Sequence, residues 1–422
     1  MACVVLGTDE FLPLARAQTT ARGLPDLPVV TVPHPIGGIP AAMAAAKAEP
    51  IVESLLRALT SRPAAGDAAV TSRGAGTPVG DVDAPEDLDQ FQIWLMERGW
   101  GDGLPAIPPT RERVAAMLAG TRRKREEEVA ILVPRLGRAT VEAVAANAVM
   151  AGALREHLAV ILAAVEAVAD PSFNLQAVQT TTHPCSPLCI VNGPIARRLG
   201  MNAGGNVFGQ GSRANAAIGR ALRLTLQNVG GARPGKEDRA THGHPGKYAY
   251  CVAENEAASP WKPLSVERGF SAGDSTVTVC GSEGPHNIND HGSTTAEGIV
   301  MTVAGTAAIA GSNNIYLGGE PLVVLGPEHA ATVASSGWSK DDFKRALWDR
   351  ACVPLGHLAP ENIERFAAIH PEGFKDRPAG AMAPMTRDWR GIMVIVAGGA
   401  GKHSVFVPTF GATRSVTRRI AD

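Results

Sequence analysis

Three short stretches in the middle of this chain, Thr182–Cys189, His242–Cys251 and Pro285–His291, hold five of its eleven histidines and three of its six cysteines. Histidine titrates near neutrality, and cysteine is both a strong nucleophile and a soft metal ligand, so the crowding points to a reactive centre or a metal site. In Thr182-His183-Pro184-Cys185, His183 could supply the positive charge that a reactive thiolate needs, which makes Cys185 a candidate nucleophile or resolving thiol. Cys189, at the head of an apolar run, and Cys251 read as packing. On an extended segment His242 and His244 point the same way, and with His286, His291 and a nearby carboxylate they would form a ligand set for a divalent metal. The ordinary alternative is that these residues satisfy backbone groups in Gly/Pro-rich turns. Lys247 joins His183 and His244 as an acid–base candidate, provided burial lowers its amine pKa.

Two glycine-rich loops could hold an anion. Asn202–Asn215 precedes an expected helix over 216–226 and offers Ser212 and Arg213; Ala397–Ser404 offers Lys402 and His403 between strands expected over 392–396 and 405–407. Neither loop has the third glycine of a dinucleotide fingerprint or the spacing of a Walker A loop, so no NAD site is expected.

The elements that must position these residues begin with an apolar run at Ala2–Leu6, a helix over about 8–22, a strand over 28–32 and an Ala-rich helix to about 59, a fragment of a parallel α/β unit. Residues 61–85 have the Ala/Gly/Pro/Asp composition of a linker, which divides the chain into 1–60, the linker, and a catalytic or ligand-binding region over 86–422. Helices are expected over 87–99, 110–118, 140–168 and 294–310, and the mixed-sign block Arg122–Glu128 reads as a solvated face. A weak internal repeat relates Pro187–Ala196 to Pro321–Ala330: in each an apolar strand ends at Gly-Pro and turns into a helix. Two such turns about a pseudo-twofold axis would aim two helix N-termini into one anion-attracting cleft. The larger region is thus expected to be α/β or α+β with two related halves.

A formal charge of −1 gives no pull toward nucleic acid or anionic membrane, and no run of about 18 apolar residues reads as a membrane span. The start lacks the succession of a signal peptide, so the cytoplasm is the default compartment and the cysteines read as thiols. A small-molecule substrate is the expected partner, and self-association is left open.

Thr8-Asp9-Glu10-Phe11-Leu12-Pro13-Leu14-Ala15-Arg16-Ala17-Gln18, followed by Gly23-Leu24-Pro25 and Pro33-His34-Pro35-Ile36-Gly37-Gly38, resembles the UGSC family of (seleno)proteins over roughly the first 50 residues. Family members carry, upstream of these residues, a Sec-or-Cys-Gly-Ser-Cys motif of redox-active type, and no such tetrapeptide occurs in this chain. The expectation follows that the reading frame begins earlier, with a selenocysteine UGA codon taken as a stop and Met1 an internal methionine. The resemblance implies a thiol- or selenol-dependent oxidoreductase, and the anchors Arg213 and Lys402 make a small, anionic substrate the expected one. The residues themselves leave two alternatives: a metal-dependent lyase or hydrolase using the histidines, and a non-catalytic anion-binding protein built on the two Gly-Pro turns.

Overall fold

The computed structural model of the chain describes residues 3–60 and 80–421. The expected linker lies mostly on residues 61–79, outside the described residues, and 80–85 are irregular. Strands β1 (Val5–Thr8) and β2 (Val29–Val32) pair in parallel across the helix Leu12–Ala21, followed by helices Ala41–Ala48 and Val52–Thr60, which is the α/β unit expected. This segment rests on the larger region through a salt bridge of 2.7 Å between Glu10 and Arg239, whose guanidinium lies over the Phe11 ring, and through Gln18, whose amide donates to the Pro134 carbonyl.

In the larger region β3 (Glu128–Leu132) and β4 (Gly137–Thr140) form a hairpin. Next come β5 (Ser186–Asn192), β6 (Cys251–Ala253), β7 (Thr276–Ser282), β8 (His286–Asn289) and β9 (Leu322–Leu325). The small antiparallel pair β10 (Cys352–Pro354) and β11 (Met382–Pro384) precedes β12 (Met393–Val396), β13 (His403–Val407) and β14 (Val416–Arg419). Two four-stranded sheets result, ordered β6-β5-β7-β14 and β12-β9-β13-β8. In both, the first pair is parallel and the other two pairs are antiparallel.

Strand periodicity decides how the sheets stack, because successive side chains point to opposite faces. Leu188 and Ile190 of β5 share one apolar cluster with Leu322 and Val324 of β9 and with Met393 and Ile395 of β12. Cys189 and Val191 instead face helices Val141–Met150, Leu158–Ala169 and Arg213–Asn228, while Val323 and Leu325 face helices Ala296–Ala307 and Lys340–Arg350. The sheets therefore pack face to face with helices outside each: four layers, α/β/β/α. Strands buried on both faces read as continuous apolar runs, which is why β5, β9 and β12 show in the sequence. The helix expected over 140–168 is broken at Gly152, whose φ of +77° places it in the left-handed region, into Val141–Met150 and Leu158–Ala169.

The internal repeat is present and extends beyond the ten residues that suggested it. β5, β6 and β7 correspond to β9, β12 and β13 in order, direction and pairing. The fourth strands are exchanged: β8, directly after β7, completes the second sheet, and β14, after β13, completes the first. The two Gly-Pro turns share their crowding, although Gly193 has a φ of +87° and Gly326 one of −61°. A Cβ on Gly193 would lie 2.2 Å from the Asp274 carbonyl oxygen, and one on Gly326 would lie 2.2 Å from that of His403. The next residues, Ser275 and Ser404, accept from the N–H groups of Ile195 and Gly326 at 3.1 Å each, and Glu256 accepts from Gly193 N–H. The chain's own oxygens thus take three of the N–H groups at these turns.

Candidate functional site

The two glycine-rich loops meet. Asn202 accepts at its carbonyl from Ala253 N–H, at the end of β6, and Ala203 accepts from Gly398 N–H, just past β12. Both loops thus lie at the carboxyl ends of the parallel pairs, where open α/β sheets form ligand crevices. Only glycine permits the junction: a Cβ on Gly399 would lie 2.8 Å from the Gly205 Cα.

Beside this junction is a polar pocket of about 580 Å³ lined by Asn202, Gln210, Ser212, Arg213 and His157, among others. Ser212 is the N-cap of helix Arg213–Asn228, accepting from Asn215 N–H, so its oxygen holds the helix start. Arg213 spends its Nε–H on the Gly152 carbonyl at 2.9 Å. His157, 2% exposed, accepts from Leu154 N–H at Nδ1, which puts the proton of the neutral ring on Nε2. Burial pulls its pKa below the ordinary histidine value, the Arg213 charge adds to this, and Glu156 opposes it. A neutral N–H donor and a guanidinium thus border one cavity. Lys402 and His403 lie across the junction: the Lys402 amine donates to the His291 carbonyl at 3.2 Å, and His403 lines a smaller cavity of about 170 Å³.

The stretches around His183 and His244 lie at the other end of β5. His183 Nε2 lies 2.7 Å from the Glu283 carboxylate, and its Nδ1 is buried without a partner. Cys185 is 1% exposed, and burial pushes its thiol up to about 12; Lys247 opposes the shift, and Asp238 and Glu283 add to it. The expected thiolate at Cys185 is therefore disfavoured by its surroundings. His244 accepts from Gly246 N–H at Nδ1 and faces the Ser282 carbonyl through Nε2 at 3.3 Å, so both nitrogens hold backbone; burial, above all, lowers its pKa. Lys247 lies 2.7 Å from Asp238, which also pairs with Arg223 at 2.6 Å. Burial lowers the Lys247 pKa, Arg223 adds to this, and Asp238 opposes it. Asp238 is itself penalised by burial, yet Arg223 and Lys247 hold its carboxyl below the usual range.

The histidine ligand set is not assembled. His242 lies exposed on a loop, His244 is bound to backbone, His286 is exposed on β8, and His291 lies past the end of β8 beside His403. Among the described residues no group of three or more His, Cys, Asp or Glu is placed to hold a metal ion.

The N-terminal α/β unit, docked through Glu10 and Gln18, carries the stretch that resembles a known family. Residues 1–61 match the UGSC family model. No curated protein matches the chain. The UGSC segment meets the larger region at Arg239, next in sequence to Asp238. Away from that segment, Cys280-Gly281-Ser282 on β7 repeats three residues of the UGSC-type motif, but Glu283 stands in the fourth place and burial pushes the Cys280 thiol up to about 12. Among the described residues, no helix is long and apolar enough to cross a membrane.

Glu283, Asp238, Arg223 and His157 escape sequence reasoning. Glu283 lies 100 positions from the histidine it pairs with, and His157 stands in an apolar helical stretch. For His157 the one available signal is a lone histidine just past the helix-breaking Gly152.

Proposed function

We propose that this protein binds a small anionic molecule in the polar pocket at the loop junction and acts on it by acid–base chemistry. The observation that carries this reading is the pairing of Arg213 with a buried, neutral His157 whose tautomer is set by Leu154. Arg213 would hold a carboxylate or phosphate through its remaining N–H groups, and His157 Nε2–H would donate to a second oxygen or to a leaving group. Differential scanning fluorimetry with a panel of small carboxylates and phosphate esters tests it. At least one class stabilises the wild-type chain saturably, and Arg213→Met abolishes the shift. If every compound behaves like sodium chloride at the same ionic strength, the reading fails.

Thiol- or selenol-dependent redox chemistry is the second reading, favoured by the match of residues 1–61 to the UGSC family. Among the described cysteines, Cys3 is exposed and lies in that segment, whereas Cys185, Cys189, Cys251 and Cys280 are buried. A substrate-dependent thiol oxidation that survives substitution of all four buried cysteines would support it, and loss of that oxidation only in a Cys185→Ser chain would return the role to Cys185.

A further inference from the structure

We propose that His291 and His403 form a two-histidine site for a divalent transition metal such as zinc, with its remaining coordination positions open to water or an added ligand. The two Nε2 atoms lie 3.3 Å apart. Two Zn–N bonds of about 2.1 Å at a tetrahedral angle place their nitrogens about 3.4 Å apart, so the spacing that the pair holds through one long N–H···N contact also fits a shared metal. The rings stand nearly perpendicular, at 84°.

The local backbone brings this pair together. β8 and β13 run antiparallel with Asn289 opposite His403, so Asn287 and His403 are diagonal neighbours on one face, and the chain leaving β8 brings His291 back to the same place. Asn287 Oδ1 accepts from His403 Nδ1 at 3.1 Å. That contact puts the proton of neutral His403 on Nδ1 and leaves Nε2 with a lone pair toward His291, the outer-shell arrangement that orients metal-binding imidazoles. Lys402 fixes the other partner by donating to the His291 carbonyl at 3.2 Å. Asp290 is not grouped with the pair among the described residues; its oxygens accept from Ser293 N–H and the Thr302 hydroxyl. Imidazole donors select zinc, nickel, copper or cobalt over magnesium and calcium, which require oxygen. His403 also lines the cavity of about 170 Å³, so a metal held here would stand at the edge of that cavity. The inference is independent of the Arg213 and His157 reading.

The test is equilibrium dialysis of the untagged full chain against zinc chloride, with cobalt(II) and its visible spectrum as a second probe. Wild type and His286→Gln retain one equivalent of zinc per chain; His291→Gln and His403→Gln each lose it. Asn287→Ala keeps the stoichiometry but weakens binding about 10–100-fold, as loss of an outer-shell partner does. All four positions are exposed, so the variants keep the wild-type fold, as far-ultraviolet circular dichroism checks. A wild-type chain that retains no zinc, or a doubly substituted chain that retains the same equivalent, overturns the proposal.

Discussion

A thiol as deeply buried as Cys185 or Cys280 is a poor nucleophile at neutral pH. With the pKa pushed up to about 12 by burial in each case, almost none of either side chain is thiolate near neutral pH. Titration of the native chain with a disulfide reagent will therefore modify Cys3 quickly and Cys352, half-buried and raised by burial, slowly; the buried thiols will react only after denaturation. Rapid modification of Cys185 in the folded chain would contradict its burial. Two other groups set the response to acid. Asp238 has a folded pKa below the ordinary carboxylate value, so the stability it contributes is complete above that range and is lost as pH falls through the depressed value. Asp238→Asn also leaves Arg223 and Lys247 buried without a counter-charge and should cost about 3–5 kcal/mol at pH 7. His157 is depressed as well, so its contribution is complete above about pH 6.5 and is lost as acid protonates the unfolded chain more readily than the folded one. Urea midpoints measured between pH 7 and 5 should fall less steeply in His157→Phe than in wild type.

At the scale of elements, the Gly-Pro turns are the most sharply constrained features. Adding a methyl group at Gly193 or Gly326 drives it into a backbone carbonyl 2.2 Å away, and Gly193 also has a φ of +87°. Either glycine-to-alanine change should destabilise the chain by about 1–3 kcal/mol or more, read by denaturant unfolding. Ser404→Ala should cost about 1–3 kcal/mol, because it leaves Gly326 N–H unsatisfied and removes the partner of His329 Nδ1 at 2.7 Å. These turns were legible in the sequence because a doubly buried strand followed by Gly-Pro is a local signal. β6, β7, β8 and β14 were not, since Cys251–Ala253 is three residues long, the alternation in β7 spans only Thr276–Val279, and His286–Asn289 is mostly polar. Their strand character comes from pairing with chain up to 143 positions away, as in Thr276 with Arg419. The same distinction divides the site. The glycine loops are local patterns and do converge, while His183 with Glu283 and His291 with His403 are encounters that only the fold creates.

For the whole molecule, the exchanged fourth strands bind the two halves into one unit. Removing residues 411–421 strips β14 from β7 and uncovers the side of helix Leu158–Ala169 that packs on it, although that helix lies some 250 positions earlier. Hydrogen exchange on the shortened chain should show protection lost at Val277 and Val279 and along that helix, while β9 and β12 keep theirs. Equal loss in both sheets would mean that the halves unfold as one.

The same exchange imposes an order on biosynthesis. Arg419 leaves the ribosome more than 130 residues after Ser282, an interval on the order of 10 s at ordinary translation rates. Throughout it the nascent first sheet presents β7 as an open edge with unpaired N–H and C=O groups, the kind of surface that recruits stray strands. Late nonsense or frameshift errors should therefore yield sticky, chaperone-dependent products even though nearly all of the first half has been made.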